Sequence, residues 1–363
     1  MSYSSKSLPL RLHDVPTPMP PSTIVIVGAL NTDLVTVTDR VPDVGETLVA
    51  KHYSEHFGGK GANTSIAAYR LSHNKSGARN VTSYGGNISP LEDIRIRMIG
   101  RVGDDARGPP LIENLRKNGV DVSGVQKVRG EMTGVCIALV ESESGDSGVG
   151  ENRLLIHAGA NYSLKPAEFK KWESFGSSSK PDLLISQLEI PRETVAQILD
   201  TASKNGIETL LNPSPVDWLP SDIYKRVAHL VVNETEANAL KIRSTDGLED
   251  EKRWASVAED FIDMGVKNVV ITLGANGAYY STSLGDRDHV PAEPNVRVQD
   301  TTGAGDTFTG AYAADIVRQR KSGKKWDIKR AVELGCRAAA WTIKEIGAQE
   351  SIPWLDEVTA GRR

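Results

Sequence analysis

Asp300-Thr301-Thr302-Gly303-Ala304-Gly305-Asp306-Thr307-Phe308 places a carboxylate where a glycine turn runs into an apolar helix. Two glycines in a strand-to-helix turn let backbone N–H groups converge on one point, and the positive N-terminal end of the helix adds to the field there. Such a point stabilises negative charge on a phosphoryl group in flight, and Asp306 stands beside it, placed to accept a hydroxyl proton. The same residues also make an ordinary capped helix start, because Asp near a helix N-terminus and Gly in a turn are frequent. On this stretch alone both readings stand.

A second glycine cluster, Phe57-Gly58-Gly59-Lys60-Gly61-Ala62-Asn63, precedes an apolar run that predicts a helix over Ala62–Leu71. Four more motifs follow the same order. They are Gly28-Ala29-Leu30-Asn31-Thr32-Asp33, Gln187-Leu188-Glu189, Asn233-Glu234-Thr235-Glu236 and Thr272-Leu273-Gly274-Ala275-Asn276-Gly277. Together these motifs resemble the carbohydrate kinase family that holds ribokinases, fructokinases and adenosine kinases, and the Gly-Gly-Lys-Gly-Ala-Asn and Asn-x-Asp pair points within it to the ribokinase type. The resemblance runs from about Ile24 to Trp354. It implies ATP-dependent phosphorylation of D-ribose at O5, with other sugars or nucleosides as alternative acceptors. A non-catalytic sugar sensor on the same scaffold is the competing class, and it has no need of Asp306.

Composition agrees with an enzyme body. The 363 residues allow one large α/β domain or two ordinary ones, and 39% hydrophobic content suffices for a core. A formal net charge of −4 without a Lys/Arg stripe gives no bias toward nucleic acid, and no apolar run reaches membrane-spanning length. Two cysteines, Cys136 and Cys336, give neither a disulfide framework nor a Cys-based zinc site, which suits a reducing, cytoplasmic setting. Residues 1–22, rich in Ser and Pro, read as a disordered tail, and the kinase body is expected over 23–358.

From Asp182 onward, apolar strands alternate with helices. The strands are 183–185, 209–211, 230–232 and 269–272; the helices are 192–205, one around 237–240, 251–264, 306–320 and 328–346. Strands apolar on both faces and joined by helices predict a doubly wound, mostly parallel α/β sheet covered on both sides. Leu34–Phe57 and Thr133–Ala158 lack intervening helices and read as β-rich segments, either edge hairpins or, as the resemblance implies, a small lid sheet that also serves as a homodimer contact. Ser72–Glu92 and Ser142–Glu151 read as polar surface insertions.

Roles follow residue by residue. Asn31 and Asp33, after strand Ile24–Gly28, are candidates to hold neighbouring hydroxyls, since Asp accepts and Asn both donates and accepts; they also suit a plain turn. Gly59, Lys60, Gly61, Ala62 and Asn63 would add a second loop to the sugar site, and Glu189 would reach a ring hydroxyl. Lys60 and Glu189 could equally be solvated, and Asn63 a helix cap. Asp306 is the candidate base, and the backbone of Gly303, Ala304, Gly305 and Asp306 would form an anion hole. The resemblance further gives Asn233 and Glu236 to magnesium and phosphate, although Asn followed three residues later by Glu is also a capping signal. It gives Thr272, Leu273, Gly274, Ala275, Asn276 and Gly277 to the nucleotide. It implies a K⁺ cage from Asp300, Thr302, Thr342, Glu345, Gly347 and Ser351, while Asp300 could merely fix its turn. Cys336 departs from the resemblance: it falls where some members of the family carry a His against the adenine, which leaves that contact open. No Gly-x-x-x-x-Gly-Lys-Ser/Thr loop exists, so a P-loop ATPase is excluded.

Overall fold

In the computed structural model, the described residues are 21–75, 94–141, 152–176, 179–216, 219–245, 249–323 and 325–360. The disordered tail expected for 1–22 lies outside them except at its end, where Ser22 already begins the first strand. Most of the 72–92 insertion and the whole of 142–151 also lie outside. Ser72 itself is buried and donates its hydroxyl to the Ala68 carbonyl, so the first insertion starts later than its polarity suggests.

Thirteen strands and nine helices occur among the described residues. The strands are β1 (Ser22–Val27), β2 (Asn31–Thr38), β3 (His52–Gly58), β4 (Ile94–Gly103), β5 (Asp121–Val128), β6 (Gly134–Glu141), β7 (Asn152–His157), β8 (Leu183–Gln187), β9 (Glu208–Asn212), β10 (His229–Asn233), β11 (Asn268–Thr272), β12 (Ala278–Thr282) and β13 (Arg287–Val290). The helices are α1 (Lys60–Arg70), α2 (Gly108–Lys117), α3 (Arg192–Lys204), α4 (Ser221–Tyr224), α5 (Glu234–Leu240), α6 (Asp250–Asp263), α7 (Ala304–Lys321), α8 (Ile328–Thr342) and α9 (Leu355–Thr359).

Nine strands form one sheet in the order β13-β12-β11-β10-β9-β8-β1-β4-β5. Every neighbouring pair from β11 to β5 is parallel, and β12 and β13 extend the edge antiparallel. The period-two alternation of β1 splits two cores. Ile24 and Ile26 pack with Ile66 of α1, Tyr312 of α7 and Val332 of α8; Val25 and Val27 pack with Ile198 of α3 and Phe261 of α6. Apolar runs on both faces thus produce the doubly wound sheet expected from sequence.

The β-rich segments form a separate four-stranded sheet, β3-β2-β6-β7, with β2 and β6 parallel and the outer pairs antiparallel. They are therefore one sheet rather than isolated edge hairpins. The last long helix is shorter than its pattern predicts: α8 stops at Thr342 instead of Ile346. The next carbonyl, of Ile343, turns out of the helix to accept the Gln299 amide at 2.7 Å, and the chain continues as a loop.

Candidate active site

In the main sheet the chain leaves β1 toward β4 and β5 and later returns on its other side as β8. Crevices open at the carboxyl ends of strands where the order reverses in this way. Gly28–Asp33 follow β1, and Leu188–Glu189 follow β8, so the first two motifs meet there.

Asn31 and Asp33 sit on β2, not in a turn, and so belong to the smaller sheet. Asp33 pairs in register with His56 on β3 and Cys136 on β6. Asn31 is clamped by a residue that carries no signal of its own in the sequence. Buried Asn161 donates from Nδ2 to Asn31 Oδ1 (2.8 Å) and to the Ala158 carbonyl (2.9 Å), and it accepts the Leu30 amide at 3.0 Å. A lone Asn in a short turn offers no spacing to read.

The second glycine loop starts α1 two residues earlier than its hydrophobicity predicts. Gly59, the residue before the helix, holds φ at 90°, and any side chain there would strike the backbone of Ala29 and Asn31. The Lys60 amide at the helix start donates to Glu189 Oε2 at 2.8 Å, so Glu189 is buried and engaged rather than solvated. Asn63 lies inside the helix instead of capping it, and its Nδ2 donates to Asp306 Oδ2 at 2.8 Å. Gly61 and Ala62 are buried against the end of β1.

Asp306, also buried, lies in the first turn of α7. Gly303 precedes the helix with φ at 78°, pressed against Ala348. The Ala304 amide bonds the Thr301 carbonyl at 3.3 Å within the turn. The Gly305 and Asp306 amides, in the first turn of α7, have no helix carbonyl behind them.

Asp33, Glu189 and Asp306 each feel the charge of the Lys60 ammonium. Burial is the largest influence on each. It pushes Asp33 up to about 7, helped by the negative charges of Glu189, Asp306 and Glu350 and opposed by Lys60. It raises Glu189 and Asp306 too, against the pull of Lys60 and the hydrogen bonds from the Lys60 amide and Asn63. For Lys60 burial acts downward, yet attraction to Asp306, Glu189 and Glu236 outweighs it and the ammonium is raised. Acceptors gathered near one cation suit a neutral, hydroxyl-rich molecule, and a carboxylate of raised basicity is the better proton acceptor.

A second group of residues gathers at β10 and β11. Their register pairs Asn233 with Thr272. Asn233 and Glu236 form a reciprocal cap: the Glu236 amide donates to Asn233 Oδ1 (2.8 Å), and the Asn233 amide to Glu236 Oε2 (2.9 Å). The capping reading is therefore realised, with Glu236 Oε1 left outside the cap. Leu273 is buried, and Gly274-Ala275-Asn276 make a tight turn that Gly277 closes through a 2.8 Å bond from the Leu273 amide to its carbonyl. Cys336, on α8, is half-buried, and burial pushes its thiol up to about 12.

The loop after α8 meets the turn before α7. Asp300 accepts the Thr302 amide and hydroxyl on Oδ1 (2.9 and 2.6 Å) and the Gly347 amide on Oδ2 (2.9 Å), so it does fix its turn while tying the two segments together. Thr342 donates its hydroxyl toward Thr307 Oγ1, Ser351 donates to the Gly347 carbonyl, and Glu345 is exposed. Gln349, in the same loop, donates to Asn63 Oδ1 at 2.8 Å and belongs to none of the sequence motifs.

The pfkB family of carbohydrate kinases matches residues 21–355. A ribokinase of Schizosaccharomyces pombe is 37% identical over 338 residues, covering 92% of this chain and 96% of that protein. Among solved structures, a ribokinase of Thermotoga maritima is 31% identical with a TM-score of 0.73, over 93% of this chain and 98% of its own. An Arabidopsis thaliana ribokinase complexed with ribose and ATP is 26% identical with a TM-score of 0.75, over 94% and 98%. With a family match from the first strand to the last helix, and glycine, lysine and carboxylate motifs converging on one crevice, the chain belongs to the pfkB family of carbohydrate kinases.

Proposed function

We propose that the chain transfers the terminal phosphoryl group of ATP to O5 of D-ribose, giving ribose 5-phosphate and ADP. The observation that carries this reading is the buried Asp306 carboxylate, held by Asn63 at the start of α7, opposite Lys60 and the Asp33–Glu189 pair. Asp33, Asn31 and Glu189 bind ring hydroxyls. Asp306 takes the O5 proton as the new O–P bond forms, so the alcohol never has to ionise first. The Gly305 and Asp306 amides and the helix end meet the charge that builds on the phosphoryl oxygens. Asn233, Thr272 and the Gly274–Gly277 turn receive the nucleotide.

Magnesium fits Glu236 only as a largely hydrated ion, since one carboxylate oxygen lies outside the cap and Mg²⁺ keeps most of its waters. When bound it would offset phosphate charge. Among the described residues no cluster of three or more His, Cys, Asp or Glu side chains is placed to hold a metal. Potassium suits the neutral oxygens of the Asp300–Thr302 and Thr342–Ser351 segments better than such a cluster would. The outer face of the smaller sheet carries exposed Tyr53, Ile137 and Leu155, the last two paired across β6 and β7, and fits a second copy of the chain. No helix among the described residues is long and apolar enough to cross a membrane.

The test is ADP release with purified protein, Mg²⁺ and K⁺ across ribose, 2-deoxyribose, fructose and adenosine. Ribose is expected to give the highest kcat/KM. A higher value for fructose or adenosine would leave only the kinase class standing.

A further inference from the structure

Five side chains lead in a line to Asp306. Arg70 donates from Nε and Nη2 to Asn118 Oδ1 at 3.0 and 2.8 Å. Asn118 Nδ2 donates to the Asn114 carbonyl at 2.9 Å and reaches Asn114 Oδ1 at 3.4 Å. Asn114 Nδ2 donates to Gln349 Oε1 at 2.6 Å, Gln349 Nε2 to Asn63 Oδ1 at 2.8 Å, and Asn63 Nδ2 to Asp306 Oδ2 at 2.8 Å.

The ends of this line fix its direction. A guanidinium can only donate, and an ionised carboxylate can only accept. Backbone carbonyls also only accept, and two of them, of Asn114 and Gly58, lie against the amide nitrogens of Asn118 and Gln349. Every amide between Arg70 and Asp306 must therefore turn its oxygen toward the arginine and its NH₂ toward the base. Gln349 and Asn63 are 3% and 4% exposed, so water does not stand in for a lost partner.

We infer that Gln349 and Asn114 are positioning residues: they hold the Asn63 amide with its N–H on Asp306 Oδ2, leaving Asp306 Oδ1 to the attacking hydroxyl. This rests on Asp306 being the base. A reversed Asn63 would set its oxygen against the carboxylate, a buried repulsion in place of a charge-assisted hydrogen bond. Arg70 also braces the loop that carries Gln349, donating from Nη1 to the carbonyls of Gln349 (3.1 Å) and Ile352 (2.6 Å). The charged groups facing Asp306 are Lys60, Asp33 and Glu189, none of which belongs to the line.

The decisive variants are Gln349→Glu and Gln349→Met. The carboxylate introduced by the first has no hydrogen to give Asn63 and favours its reversal, whereas the thioether introduced by the second only withdraws support. We expect kcat to fall about ten- to a hundredfold in Gln349→Glu, the worth of one charge-assisted hydrogen bond, and less in Gln349→Met, with sugar Kd changing less than kcat in both. In an Asp306→Asn background, the amide that replaces the base brings its own N–H and tolerates a reversed Asn63. The loss of Tm caused by Gln349→Glu should then shrink. A kcat within about twofold of wild type for Gln349→Glu would overturn the inference, and so would an equal Tm penalty in both backgrounds. If Gln349→Glu fails to fold, Asn114→Leu reads the same line from a site remote from substrate: a severalfold drop in kcat supports it and an unchanged kcat refutes it. Asp306→Asn alone keeps the two questions apart, because a turnover near wild type there sinks the base reading whatever the melting cycle shows.

Discussion

Asp306, buried, and Asp33, half-buried, are carboxylates of one pocket, yet their surroundings prepare them for different work. Asp306 has an amide donor on one oxygen and lies at a helix N-terminus; Asp33 faces two other carboxylates across the pocket. Asp306→Asn should keep fold and sugar affinity, since the replacing amide still offers an oxygen to the Asn63 N–H, while kcat falls by about three decades or more. Steady-state kinetics beside sugar-binding calorimetry checks this, and a tenth of wild-type turnover would exclude Asp306 as base. For Asp33 the folded pKa, about 7, lies above the ordinary carboxylate value, so the native state carries a proton that the unfolded chain releases. Stability on this account is full at low pH and declines as pH rises through about 4 to 7. Asp33→Asn should therefore raise Tm at pH 8 more than at pH 5, even as it raises the sugar KM. Equal Tm shifts at both pH values would mean that Asp33 is not held protonated. The identity of these two residues was legible because each stands at a fixed offset from glycines. Their partners were not: Asn161 and Gln349 arrive from 130 and 286 residues away from the asparagines they hold, and no local pattern records that.

At the scale of elements, strands apolar on both faces announced themselves, and so did helices ended by a glycine, such as α3 before Gly206, whose φ is 68°. The end of α8 did not. Its apolar pattern continues to Ile346, but hydrogen bonds from Gln299 and Asp300 to the Ile343 carbonyl draw the chain away, a tertiary preference invisible in the local sequence. That loop then leans on the start of α7, with Gly347 bonded to Asp300 and Ala348 packed on Gly303. A cation between the segments would order the Gly303–Asp306 turn without touching substrate. Exchanging Na⁺ for K⁺ at constant ionic strength should thus raise kcat and leave the sugar KM nearly unchanged. Equal rates in the two salts would remove the cation from the proposal.

For the molecule as a whole, the proposed role of the smaller sheet is that of a lid that keeps water from the reacting phosphoryl group. With the site closed over a sugar, water is a poor competitor; with no sugar, the pocket lacks its acceptor. ATP hydrolysis without sugar should be orders of magnitude slower than phosphorylation of ribose, and comparable rates would dismiss the idea that this sheet acts as a lid. The outer face of the same sheet predicts association: Ile137→Arg should convert a dimer to a monomer in sedimentation, and a wild-type monomer would discard the second copy.

Between the end of β1 at Val27 and the start of β2 at Asn31 the chain has only Gly28, Ala29 and Leu30 to pass from the large sheet to the small one. A sugar held as proposed, by Asp33 on the smaller sheet and by Lys60 and Asp306 on helices of the larger one, would span that junction. Its residence time would then be set less by the sum of its hydrogen bonds than by how often the two sheets part. A substitution in those three residues that loosened the junction would quicken sugar departure and slow productive turnover, although no group that touches the sugar had changed.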